Sequence, residues 1–523
     1  MTVRNKDENK KPSMIRPLGN VECYEFHMLQ LGFLRSTIVN SRYTIPPSLA
    51  APEHRDRVVA WVEDAIARVV LEHPALRLDV VNADTKRPAW VAVDQVDFTH
   101  HVTWEDVDGT AGNYEETLRD RIGKRLDEPY VNLAGRPQWR VLVLFKTGEH
   151  PCLDIVFDYS HAFSDGTSGK IFHESLLRAL NTTETEKEGA QNRVLTNRTL
   201  EIPPSARALP PPVEKVAKFT VSAKFAISTA WKELRPAGLI ASPSAAHAHW
   251  APIRATPYAT RFRTFDIEAA AVRNVLTACR AHATTVTGLL HALVLASMAA
   301  RIPPRDATAF TGSTALDLRR YLGQPVPGLD PRRTMADYVS QTAHEFDADL
   351  VREIRAAAAA LSDDTPPSPT LVDLVWRCAT RVRGEIQKRL DRGLKNDLVG
   401  LMRLVPDWRA QFRTEAGKPR PYSFVVTNLG VLDGDPGAAA EEAVADAVRE
   451  EEEEDRGRSW AIEHAVFAIS AEVCGAAFQV SPISVRDGAL CVGCSWQECV
   501  VDGELAEAIV ADLARWLRFM GES

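Results

Sequence analysis

Residues 152–169 read Cys152-Leu-Asp-Ile-Val-Phe-Asp-Tyr-Ser-His161-Ala-Phe-Ser-Asp165-Gly-Thr-Ser-Gly169. Leu153, Ile155, Phe157 and Tyr159 alternate with Asp154, Val156 and Asp158, the period of a β-strand. Gly166-Thr-Ser-Gly169 interrupts the alternation, and Ile171, Phe172, Ser175, Leu176, Ala179 and Leu180 then recur at helical spacing. The unit is strand, sharp turn, helix. His161 leaves the strand where a base is useful, because imidazole is neutral at the pH of a cell interior and accepts a proton readily. Asp165 can fix the turn without touching substrate, and Gly166 allows backbone that other residues resist. Taken alone, a His with an Asp four residues on reads first as a structural histidine in a loop closed by an Asx-turn.

Outward from this unit, Val58, Val62, Ala65, Ile66, Val69 and Val70 predict a helix over 54–72 that stops at Pro74. A second helix is expected near 114–127. Between Asn181 and Ala259 periodicity is lost in Thr, Pro and Ala, which reads as a crossover carrying one helix near 218–232. A strand at Thr260 to Ile267 follows, then helices near 269–282 and 286–300, and a strand at 307–316. Residues 336–361 read as one long helix. Ser423 to Thr427 reads as a short strand, 464–499 as strand-rich, and Glu504 to Phe519 as an amphipathic helix.

At about 150 residues per domain, 523 residues imply two to four domains. The 45% apolar and 25% charged composition is that of a globular protein. The net charge of −8 (62 basic against 70 acidic residues) lies wholly within 441–455, where nine acids face one base. The rest of the chain is neutral, so there is no basic footprint for nucleic acid. The eight cysteines show no paired CxxC motifs, and Cys491-Val-Gly-Cys494 lies in an apolar alternating run and reads as strand filling. His100, His101, His247, His249 and His291 have no partners at metal-ligand spacing, so no metal is expected. The charged start has no apolar core of a secretory signal, and the longest apolar stretch, Val286 to Ala300, is too short to span a bilayer. The expectation is a reduced, cytoplasmic enzyme or binding protein.

The segment His161-Ala-Phe-Ser-Asp165-Gly166, between strand and helix, resembles the HxxxDG motif of the CoA-dependent acyltransferase superfamily. Further segments agree in order. Arg16-Pro-Leu-Gly19 with Glu22 and Tyr24 resembles the N-terminal segment of fungal alcohol acetyltransferases. His73-Pro-Ala-Leu-Arg77, Gly135-Arg-Pro-Gln-Trp-Arg140, Thr284-Thr-Val-Thr-Gly-Leu-Leu-His291, Asp317-Leu-Arg-Arg320, Thr427-Asn-Leu-Gly430 and Leu490-Cys-Val-Gly-Cys-Ser-Trp496 resemble successive segments of the same family. The DFGWG segment of plant-type members is absent, and Ser160 stands where condensation domains usually carry a second histidine. The alcohol acetyltransferase branch fits best.

The resemblance implies a mixed α/β protein of two chloramphenicol acetyltransferase-like halves with a central tunnel between them. Its expected divisions are a disordered tail at 1–15, an N-terminal half at 16–200, a crossover at 201–259 and a C-terminal half at 260–523 with an acidic insert at 433–459. It implies a coenzyme A thioester, acetyl-CoA or another short acyl-CoA, as co-substrate and a small-molecule alcohol as acceptor, with no carrier-protein domain in the chain and no covalent acyl-enzyme. His161 would be the general base, Asp165 and Gly166 its turn, and Arg319 the partner of Asp165. Asn428 or Thr427 would donate to the oxyanion. Arg320, Arg332, Arg333, Lys418 and Arg420 lie in the half that binds coenzyme A in the family, and Tyr24, Phe26, Phe163 and Trp496 are expected wall residues. Two other readings share the fold: N-acylation or a condensation-like reaction through the same histidine, and a binding protein that has lost transfer activity. The motifs leave the acceptor, the acyl length and the oligomeric state open.

Overall fold

The structure is a computed structural model and describes residues 14–109, 112–130, 135–148, 150–182, 193–203, 209–234, 244–323, 329–359, 366–415, 418–435 and 459–522. Most of the expected tail and of the acidic insert therefore lies outside the described residues. Met14 and Ile15, assigned to the tail from sequence, belong to a strand (Met14–Pro17) that pairs with Ala89–Ala92.

A short strand, Val431–Leu432, joins the second of two large sheets, and eleven longer strands build the rest. In chain order they are β1 (Thr37–Thr44), β2 (Val102–Asp108), β3 (Trp139–Thr147), β4 (Cys152–Tyr159), β5 (Thr260–Ile267), β6 (Phe310–Asp317), β7 (Val339–Phe346), β8 (Tyr422–Val426), β9 (Ala461–Ile469), β10 (Ala476–Val485) and β11 (Leu490–Gln497). The first sheet runs β9-β1-β4-β3-β2 and the second β5-β11-β10-β8-β6-β7. Both mix parallel and antiparallel pairs: β2 and β3 are parallel, as are β6, β8 and β10. The chief helices are α1 (Asn20–Gln30), α2 (Arg55–Glu72), α3 (Gly166–Thr182), α4 (Val286–Arg301), α5 (Pro369–Asp391) and α6 (Gly503–Glu522). This is the mixed α/β class expected.

Each sheet has its own core. Val58, Val62, Ile66 and Val69 of α2 pack with Ile155 and Phe157 of β4 in one. Leu289, Leu293 and Leu295 of α4 pack with Val492 and Cys494 of β11 and Leu513 of α6 in the other. Cys491 and Cys494 confirm the strand reading. Three residues apart on a strand, they point to opposite faces, and Cys491 joins the first core while Cys494 joins the second.

Residues 336–361 depart from the sequence reading. The long helix over 336–361 is instead a strand, β7, followed by a short helix (Ala348–Ala358). Ser340, His344 and Phe346 point inward at period two, and the Asp347 carboxylate caps the helix at Leu350 N–H. The polar face of β4 is also buried. Asp154 accepts hydrogen bonds from Asn40, Arg42 and Tyr114 (2.8, 2.8 and 2.6 Å) and Asp158 from Tyr130 and Arg140 (2.6 and 2.9 Å). Paired carboxylates let a strand with acids on one face lie inside the protein.

The two halves interlock. Strand β9 comes from the end of the chain, yet it pairs along the full length of β1, from Thr44↔Ala461 to Thr37↔Ile469. No single helix among the described residues is long and apolar enough to cross a membrane. The bent pair of Ala269–Ala281 and α4 passes on composition, and the apolar residues of α4 are buried in the second core.

The sheets meet where β9 crosses β11 at Gly493. A Cβ there would stand 2.3 Å from the Phe467 carbonyl oxygen, a contact no side chain can make. Gly493→Ala is expected to force the sheets apart and destabilise the protein by about 1–3 kcal/mol, read as a lower urea midpoint at unchanged m-value.

Candidate active site

His161 sits in the turn between β4 and α3. The turn is held below by Ser160 N–H, which donates to Gln138 O (2.9 Å), and from within by the Tyr159 hydroxyl, which donates to Asp165 O (2.9 Å). Glycine at 166 has a reason other than the one read from sequence. A Cβ there would come within 2.7 Å of Leu429 Cδ2 and 3.2 Å of Phe467 Cζ, so a larger residue would require these side chains, from the loop after β8 and from β9, to shift.

Asp165 does not face the imidazole as a relay. Its carboxylate forms a two-bond fork with Arg319, at 2.7 Å from Nη1 to Oδ2 and 3.1 Å from Nη2 to Oδ1. Ser168 N–H, the Ser168 hydroxyl and Tyr338 N–H also donate to it (2.9, 2.9 and 3.0 Å). Both partners are buried, at 3% and 8% exposed. Burial alone would push the Asp165 carboxyl up; the Arg319 charge, the Arg319 hydrogen bonds and the two backbone N–H donors outweigh it and hold it below the usual range. Arg319 comes from the turn after β6 and Tyr338 from the start of β7, so this pair ties the histidine turn to the second half.

Three acids that sequence reasoning missed surround His161. Glu25 Oε1 on α1 lies 4.0 Å from Nδ1 and Asp337 Oδ1, just before β7, lies 3.8 Å from it. Glu472, in the turn between β9 and β10, acts on the ring through its charge. Burial pushes Glu25 up to about 8; burial and then the Glu25 charge push Glu472 up to about 7. Asp337 is raised well above the carboxylate range by burial and then by Glu25, Asp165 and Glu22. His161 itself is lowered, since burial outweighs the opposing pull of Asp165, its own backbone carbonyl and Glu472. Helix α1 is placed by the Arg16 motif. The Arg16 guanidinium forks onto Glu22 (2.7 and 2.7 Å), and Glu22 also accepts from Trp90 Nε1 (3.0 Å).

The other nominated residues have varied surroundings. Asn428 is exposed; its amide donates to Thr287 Oγ1 (3.0 Å) and its oxygen accepts from Gly430 N–H (2.7 Å), which is turn chemistry. The Thr427 hydroxyl meets Ser481 Oγ (3.0 Å). Arg420 is fully buried among backbone carbonyls, chiefly Ala251 (2.9 Å), Glu472 (3.1 Å) and Gly475 (3.0 Å), so it is a structural cation and is withdrawn from the phosphate-binding set. Lys418 pairs with Glu415 (2.7 Å) and Arg333 with Glu72 (2.8 Å). Arg320 is exposed beside the Tyr321 ring, and Arg332 is exposed in the turn that begins at Asp330. Phe26 and Phe163 belong to the first core, Trp496 stacks on Phe478 in the second, and Tyr24 packs on Trp408 and Phe412. Asp266, His464 and Cys491 converge from three strands with donor atoms within 4.8 Å of one another. His464 hydrogen-bonds Asp266 (3.0 Å), and the neighbouring Arg42 charge opposes a cation there.

Residues 103–326 match the model of the family described as alcohol acetyltransferase. A relative named probable alcohol acetyltransferase FCK4, from Fusarium pseudograminearum, is 27% identical over 517 residues, covering 98% of this chain and 96% of its own. Probable alcohol acetyltransferase crmB of Aspergillus fumigatus is 27% identical over 500 residues, covering 92% and 95%. Among solved structures, TRI3 trichothecene 15-O-acetyltransferase from Fusarium sporotrichioides superposes with a TM-score of 0.67 at 14% identity, covering 96% of this chain and 94% of that one.

The Asp165–Arg319 pair generates a stability prediction. Asp165→Ala leaves Arg319 buried and unpaired and is expected to cost about 3–5 kcal/mol in chemical unfolding. Because the folded carboxyl is depressed, its contribution is fully present above the unfolded value of ~3.9 and is lost as pH falls through the folded value. The gap between wild type and Asp165→Asn should therefore narrow only in acid, followed as unfolding midpoint against pH.

Proposed function

We propose that this chain, a member of the alcohol acetyltransferase family, moves an acetyl or other short acyl group from its coenzyme A thioester to the hydroxyl of a small alcohol, with His161 as general base. The observation that carries the reading is the His161 turn. A half-buried imidazole, held toward its neutral form, stands at a strand end, and the aspartate four residues on is committed to Arg319 and not to the ring. A base must be unprotonated to act, and burial keeps this one so.

In the proposed reaction the acceptor hydroxyl gives its proton to His161 as its oxygen attacks the thioester carbonyl. The tetrahedral intermediate collapses with cleavage of the carbon–sulfur bond, and the imidazolium returns the proton to the leaving sulfur. Both substrates held together supply the proximity, so no covalent acyl-enzyme is needed. The two halves, each with its own sheet and core, would bind the two substrates from opposite sides of His161. Arg320, Arg332 and Arg333 are the cations offered to the phosphates of coenzyme A; all three are exposed.

The test is release of free thiol from acetyl-CoA across a panel of alcohols and amines. Release is expected with an alcohol, and His161→Ala should lower it by about 10²–10⁴-fold. Release with amines alone would replace O-acylation by N-acylation. No release and no coenzyme A binding would sink the transfer reading. Since His161 is lowered, its neutral form persists to more acid pH, and the acidic limb of kcat/KM is expected below ~6.5.

A further inference from the structure

The fastening of Asp165 has a second effect, on residue 337. Asp165 N–H donates to Ala336 O (3.2 Å), Ser168 Oγ is bonded to both Ala336 O and Ala336 N–H (3.0 and 3.0 Å), and Arg319 Nη2 donates to Ala336 O (3.1 Å). On the other side, Tyr338 N–H donates to the Asp165 carboxylate (3.0 Å) and Tyr338 O accepts from Leu318 N–H (2.8 Å). The neighbours of Asp337 are thus tied on both sides to the turn that carries His161.

Between them the Asp337 side chain is fully buried, 3.8 Å from His161 Nδ1. Among the described residues neither of its carboxyl oxygens has a hydrogen-bond partner, and His161 Nδ1 has none beyond its own backbone carbonyl. Buried polar atoms left unmet are uncommon in native proteins and call for a reason. Here the two unmet carboxyl oxygens lie beside the ring nitrogen. A shift of about 1 Å would close a normal hydrogen bond, and catalytic contacts are commonly long before substrate binds.

We propose that Asp337 is the positioning residue of His161, accepting the Nδ1–H bond, keeping Nε2 as the basic nitrogen, and stabilising the imidazolium formed when Nε2 takes the acceptor's proton. The proposal rests on the general-base reading of His161. Glu25 lies on the same side of the ring, 4.0 Å from Nδ1. Burial pushes both carboxyls up, and the Glu25 charge pushes Asp337 up further. The remaining charged groups facing this centre are Asp165 and Glu472 toward the ring, and Glu22, Asp165 and Arg319 toward Asp337.

The experiment compares wild type, Asp337→Asn and Glu25→Gln as full chains with three readouts. These are Tm, thiol release as kcat and KM against pH, and the pH dependence of carbethoxylation of His161 by diethyl pyrocarbonate, followed by peptide mass. The last gives the His161 titration without turnover. Asp337→Asn is expected to lower kcat at least about tenfold with KM little changed. Asn cannot offer an imidazolium the negative charge that Asp337 can, so the His161 titration and the acidic limb both move to lower pH. Tm should hold or rise, because an unpaired buried carboxyl becomes a neutral group of the same shape. An unmoved His161 titration, or activity lost in step with a falling Tm, overturns the assignment. A titration moved by Glu25→Gln and not by Asp337→Asn overturns it in favour of Glu25. If wild type turns over no acceptor but Asp337→Asn still moves the titration, the pairing stands and the acyl-transfer reading falls.

Discussion

The bidentate pair of Asp165 and Arg319 is the constraint on which the arrangement around His161 depends. It joins the turn after β4 to the turn after β6 and the start of β7, which belong to different halves of the chain. A buried ion pair stabilises only when its leftover hydrogen-bonding capacity is met. Here Asp165 has five donors on its two oxygens, including the planar fork that arginine alone provides. The motif aspartate thus acts as a fastener. Its chemistry is done through the backbone it fixes, at Ala336 and Tyr338.

Around His161 the balance is the opposite. The buried Asp337 carboxyl is left without a hydrogen bond among the described residues, and Glu25 and Glu472 are held out of the ordinary carboxylate range. Local polar rules are broken at functional sites and kept elsewhere. Arg420 shows the compensating half of this pattern. Its guanidinium gathers the carbonyls of the 472–476 turn, the turn that carries Glu472. A cation nominated for phosphate is instead committed to backbone carbonyls.

Much of the scaffold was legible in the sequence because its signals are local. The alternation of 152–159, the helical spacing of α2 and α3, the apolar run of α4 and the amphipathic close of α6 each carry their period within a dozen residues. The error over 336–361 has a local cause too. Apolar positions spaced along Val339–Phe346 and then Ala348–Ala358 read as one period until Asp347, a helix cap, is seen as a boundary. At the site, His161, Asp165 and Arg319 were legible through motif order. Asp337 was not, since nothing in Met335-Ala-Asp-Tyr338 marks it. Its role appears only when a contact across 176 residues brings it to His161. Glu25 sits beside Tyr24, which was named for its ring. Helical geometry turns adjacent side chains about 100° apart, so Tyr24 packs on Trp408 and Glu25 reaches the histidine.

The crossing of β9 into the first sheet sets an order of events during synthesis. Strand β1 is made early, and the strand that covers its outer edge follows it by some 417 residues, the span of the Thr44–Ala461 hydrogen bond. At ~5–20 residues per second a ribosome needs roughly 20–80 s to cover that distance. For all of that time the edge of β1 offers unpaired backbone to any other strand in the cell, the usual start of aggregation. The last strands of the chain therefore serve as the lock on its first sheet, and the nascent protein depends on being sheltered until they emerge.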